Sequence, residues 1–187
     1  GIDTTRPTNE WNAREIMDLF AEMFPNVNIG EHQFNYYTRD RYDKKWKHRF
    51  HERIENQLFL NGTIDVLFHG VTKNPDEEIM KEFGFYDNRE VKRDDNQRNL
   101  ITAENRKPLE KIDVPTFLWY APFAFVTKQF IAEEYKKHGL MDELFPMTAS
   151  CVGYKKDTNC FTEPCKKCWW CKEKHWAFGM YDNGVTE

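Results

Sequence analysis

Three cysteines recur at every third position in Cys165-Lys166-Lys167-Cys168-Trp169-Trp170-Cys171, and Cys151 precedes them by fourteen residues. Two thiolates separated by two residues can bite one metal ion, because the short turn between them aims both sulfurs inward. The overlapping Cys-x2-Cys steps supply three ligands from seven residues. Cys151 adds a fourth and closes a tetrahedral site with no open coordination position, the pattern of a structural zinc. A fifth thiol, Cys160, could replace Cys151 or stay free, and His175, four residues beyond Cys171, could compete as a ligand. The same spacing also serves iron–sulfur clusters, but that run continues with Cys-x3-Cys-Pro. Here Cys171 is followed by Lys172-Glu173-Lys174-His175. Zinc is therefore the expected ion, held by Cys151, Cys165, Cys168 and Cys171.

Composition narrows the setting. All five cysteines lie beyond residue 150, and no apolar N-terminal stretch resembles a signal peptide. The expectation is reduced thiols in a cytoplasmic setting rather than a disulfide framework. With 187 residues, the chain is long enough for one domain with a sizeable core, or one domain and a small appendage. A net charge of -4 argues against a general nucleic-acid or membrane-surface binder, although basic patches can exist locally. Aromatic residues make up 16%, ample material for a packed interior.

The elements that must position the thiols follow from periodicity. Asn9 or Thr8 can cap a helix whose Ile16, Leu19, Phe20, Met23 and Phe24 share one face until Pro25 stops it. A polar helix is expected over about 40–60, with Trp46, Phe50, Ile54 and Leu58 as its buried stripe and Lys44, Lys45, Lys47, Arg49 and Arg53 as a basic surface. Ile64 to Phe68 reads as a buried strand, followed by a polar loop through Gly70, Thr72 and Asn74 and a helix from Asp76 to Phe83. Such a strand–loop–helix unit makes that loop a candidate ligand rim. Residues 87–112 are rich in Asp, Asn, Arg and Lys; Arg93, Arg98 and Arg106 would suit an anionic substrate. A helix from Thr127 to His138, ended by Gly139, carries Lys128 in its first turn. A cation there opposes the helix dipole and hints at work on an anion. The expected boundary falls near Thr148, between an α/β body over 1–148 and a cysteine-rich, zinc-binding tail over 149–187. Trp169 and Trp170, between two of the thiols, are expected to cover the metal knuckle; an exposed tryptophan would instead favour a partner surface.

Several of these residues together resemble the C-terminal half of the 7-cyano-7-deazaguanine synthase family and its phage-encoded relatives. They are Ala121-Pro122-Phe123, Thr127-Lys128 at a helix start, Gly139-Leu140, Thr148-Ala149-Ser150-Cys151, the three-cysteine cluster and Trp176-Ala177-Phe178. Gly70-Val71-Thr72-Lys73-Asn74 stands where that family has a Gly-x-Asn loop after a central strand. The resemblance implies zinc on Cys151, Cys165, Cys168 and Cys171, Lys128 near nucleotide phosphates, and Gly70 and Asn74 near the substrate pocket. It further implies a Rossmann-like parallel sheet with flanking helices, of the kind found in PP-loop ATP pyrophosphatases, with a small zinc-binding subdomain. The implied chemistry uses ATP and Mg2+ to adenylate a carboxylate, which ammonia then converts to amide and nitrile. Two departures stand out. The Ser-Gly-Gly-x-Asp-Ser loop of those enzymes occurs nowhere in the chain, so the first βα unit would precede Gly1, and Lys166 replaces the glycine that follows the first cysteine of the family's cluster. The alternative is a non-catalytic, zinc-stabilised module that binds a protein or, less favoured by its acidity, a nucleic acid.

Overall fold

The structure, a computed structural model, describes residues 8–30, 58, 61–64, 66–68, 70–86, 118–120 and 122–187. It divides into two compact units, one of Gly1–Thr38, Pro75–Val91 and Lys128–Glu187, the other of Arg39–Asn74 and Lys92–Thr127. The basic surface expected over 44–53 and the arginines of 87–112 lie outside the described residues.

In the second unit, β1 (Val66–Phe68) pairs in parallel with β2 (Leu118–Tyr120), with Leu67 opposite Trp119. The loops that follow the two strands are tied by a bond from the Lys73 N–H to the Val126 carbonyl, 2.8 Å. These three-residue strands are the only ones among the described residues, and helices carry the remaining regular structure. The expected Rossmann-like parallel sheet with flanking helices is therefore incorrect for what the structure describes. An apolar run such as Ile64–Phe68 reads as a buried strand, yet Phe68 is 69% exposed, so apolarity alone misplaced it. Of the loop residues, Gly70 is exposed, Thr72 is buried and Asn74 is half-buried.

The first unit carries the cysteines. Its helices are α1 (Thr8–Met23), α2 (Glu77–Glu82), α3 (Lys128–Lys137), the short α4 (Leu140–Glu143) and α5 (Trp169–Phe178). Gly139 adopts φ 70° between α3 and α4, a left-handed stop that only glycine reaches without strain. Helix α1 has the expected register, with Ile16, Leu19 and Phe20 half-buried, although Met23 and Phe24 at its end are exposed.

Among the described residues, both hydrophobic clusters of this unit are built on α5. At its N-terminal end Trp169, 2% exposed, packs with Met80 among Phe83, Phe85, Tyr86 and Trp170. The Phe83 and Phe85 rings each meet Trp169 edge-on at 5.8 Å, an arrangement that favours aromatic pairs beyond the area they bury. At the C-terminal end Phe178 sits between Phe145 (4.9 Å) and Tyr135 (5.4 Å), with Ala132 of α3 beneath. Gly179, at φ 75°, caps α5 through its N–H to the His175 carbonyl. Among the described residues no helix is long and apolar enough to cross a membrane.

Candidate metal centre

Helix α5 begins at the metal centre. Cys168 is its N-cap and Cys171 lies one turn in, so both sulfurs stand at the positive end of the helix dipole. Cys165 enters from the preceding turn, where Lys166 is held at φ 59°. That left-handed residue reverses the chain between Cys165 and Cys168, and its side chain reaches the Glu187 carbonyl oxygen.

Cys151 arrives from a separate segment. Its sulfur accepts the N–H groups of Gly153 and Cys165, each at 3.2 Å, while the Cys165 sulfur accepts the Cys168 N–H at 3.4 Å. The sulfurs of Cys151, Cys165, Cys168 and Cys171 all lie within 4.8 Å of one another, and Cys165 and Cys171 are 3.9 Å apart. A Zn–S distance of about 2.3 Å places tetrahedral sulfurs about 3.8 Å from each other. A disulfide would need about 2.0 Å, and all five cysteines are free thiols. Four cysteines thus cluster closely enough to hold a metal ion. Cys160 is exposed and outside the cluster. His175 is outside it too, stacked on Tyr181 at 4.4 Å.

Electrostatics suit a cation in the centre. Hydrogen bonding from Cys171 pulls the Cys168 thiol down to about 5, whereas the same contact, followed by burial, holds Cys171 far above the ordinary thiol range. Burial raises Cys151 as well, against the N–H donors that favour its thiolate. One negative charge is easily placed here; four need a metal ion among them.

A buried ionic knot holds the Cys151 segment in place. The Asp182 carboxylate accepts the N–H of Ser150 at 2.9 Å and of Cys151 at 2.8 Å. Lys174, 2% exposed, donates to Asp182 (2.7 Å), the Thr148 carbonyl (2.7 Å) and the Thr148 hydroxyl (2.9 Å). Its ammonium also lies 4.3 Å from the Phe145 ring centre. Burial lowers the Lys174 pKa and Asp182 works against that shift. Glu173, its neighbour on α5, is 1% exposed and pairs with Lys128 at 2.7 Å.

The position of Lys128 bears on its expected role near phosphates: in this unit its ammonium is engaged by a buried carboxylate. Gly70 and Asn74, its expected companions, belong to the other unit. Sequence reading missed Glu173, Lys174 and Asp182, whose partners are distant in the chain and leave no local pattern. It also missed Gly153, for which Cys-x-Gly is a usable signal. A Cβ at Gly153 would stand 2.7 Å from the Cys165 Cβ and 2.7 Å from the Thr158 Cγ2.

Gly153→Ala should therefore push the Cys151 segment off the knuckle, destabilising the fold by about 1–3 kcal/mol and weakening metal binding at least about tenfold, as read by chelator competition. Metal affinity should fall with acidification. The metal displaces protons from Cys151 and Cys171, whose thiols are raised, so affinity is highest at alkaline pH. Between pH 8 and 5 it should drop by at least about a hundredfold per unit, a factor of ten for each proton displaced from these two thiols. A pH-independent affinity would contradict this assignment of ligands. Comparison of the chain with protein-family models, with curated proteins and with solved structures finds no match.

Proposed function

We propose that Cys151, Cys165, Cys168 and Cys171 hold one structural zinc ion, and that the surrounding unit is a zinc-stabilised, non-catalytic binding module. The observation that carries the reading is the convergence of four thiols from two chain segments, with Cys171 only 1% exposed. Four protein sulfurs fill a tetrahedral zinc, so no site remains for an activated water. The ion's task is then to weld the Cys151 segment to the start of α5. Purified protein should contain one zinc per chain. Cys171→Ser should lose it together with much of the thermal stability, and Cys160→Ser should keep it. Iron with acid-labile sulfide, or metal retained by Cys171→Ser, would defeat the proposal.

One observation favours a second reading, kinship with the deazaguanine synthases. Lys166 occupies the left-handed conformation (φ 59°) at the position where that family has glycine. Glycine reaches this conformation without steric cost, whereas a non-glycine residue bears about 1–2 kcal/mol there. On this reading the chain takes part in ATP- and Mg2+-dependent conversion of a carboxylate to an amide or nitrile. Pyrophosphate release from ATP with 7-carboxy-7-deazaguanine and ammonium tests it; release no faster than background removes it.

A further inference from the structure

Neither tryptophan beside the cysteine cluster is fully exposed: Trp169 is buried, and Trp170, half-buried, packs against it. The exposed aromatic of this region is instead Tyr154, 57% exposed, three residues beyond Cys151. Its backbone is fixed: the Tyr154 carbonyl accepts the Asp157 N–H and the Thr158 hydroxyl, each at 2.9 Å, and opens the 3-10 turn Lys155–Asp157. The ring therefore stands outward from a rigid base.

Charge reverses around this ring. The chain carries a net -4, yet residues 151–168 contain four lysines against two carboxylates. Lys167 neutralises Asp157 at 2.7 Å, and Glu163 accepts the side-chain amide of Asn159. Lys155 and Lys156 are exposed, and neither forms an ion pair with a described residue. The lysines share one lobe with Tyr154, because the Lys167–Asp157 pair and the close approach of Gly153 to Cys165 bind the 152–157 segment to the knuckle. Val152, also exposed, continues the apolar part of the rim.

We infer that this lobe is a docking surface for single-stranded nucleic acid, with a base stacked on Tyr154 and phosphates held by Lys155 and Lys156. An aromatic ring flanked by free ammoniums matches a strand whose base faces are open, whereas a duplex hides those faces. The inference rests on the reading of the four thiols as a structural metal site, because the metal fixes the knuckle against the 152–157 segment.

The test is fluorescence anisotropy of a labelled twelve-nucleotide oligothymidylate titrated with the full-length, zinc-loaded chain, with zinc content measured on the same sample. Binding should weaken with salt at a log–log slope of about -1.4, as expected for two phosphates on a single strand. Tyr154→Ala should weaken it about tenfold, and Tyr154→Phe should restore it. Lys155→Gln with Lys156→Gln should bring the slope to about zero, because no phosphate contact is left. Duplex of the same length and polyglutamate should each compete at least about tenfold less well. Protein with one zinc per chain and no anisotropy change, or equal binding by Tyr154→Ala, overturns this inference and leaves the metal reading standing. Equal competition by polyglutamate overturns it as well, by showing a general anion surface. Zinc content well below one per chain defeats the metal reading first, independently of the titration.

Discussion

Four sulfur atoms crowded within 4.8 Å of one another set the terms for the first unit. As thiols they pack like small apolar groups, but as thiolates they repel. A divalent cation among them would offset that repulsion, which is why the arrangement suits a metal ion. The chain answers on its side with N–H donors to Cys151 and Cys165 and with the positive end of α5.

The ionic knot beneath the cluster does a different task. Asp182 fixes the backbone of Ser150 and Cys151, and Lys174 fixes Asp182. Two charges taken out of water are a poor source of net stability, but they are intolerant of misplacement. With both partners engaged, Cys151 is delivered to the knuckle at one height and in one orientation. Such outer contacts orient metal ligands in the same way that a packed core orients a helix. The salt bridge of Glu173 with Lys128 extends this to α3, so one helix, α5, carries two sulfur ligands, two buried charges and a share of both hydrophobic clusters.

What the sequence disclosed follows from how local each signal is. Cysteine spacing is local, so the members of the cluster were legible. Helix stops at Gly139 and Pro25 and the register of α1 were legible for the same reason. Helix α5 was not, because Trp169, Cys171, Glu173, Lys174 and Phe178 are buried on several sides of it and leave no clean apolar stripe. Its Lys-Glu-Lys run reads as solvated, and the partners that make burial tolerable, Lys128, Thr148 and Asp182, are distant in the chain. The sheet was over-read for the converse reason: a β-branched, apolar run looks buried whether or not neighbouring strands exist to bury it. Lys166 illustrates a third case, a left-handed turn imposed by two flanking ligands on a residue that would not choose it.

The order of elements along the chain has its own consequence. Helix α5 comes after α1, α2, α3 and α4, yet its side chains complete both of the unit's apolar interiors. During synthesis, Met80, Phe83, Ala132 and Phe145 leave the ribosome before Trp169 and Phe178 can cover them. Until then those residues lack the partners that α5 brings, and the four-thiol cluster is incomplete until Cys171 has emerged. Among the described residues, both interiors can therefore close only once α5 has been made.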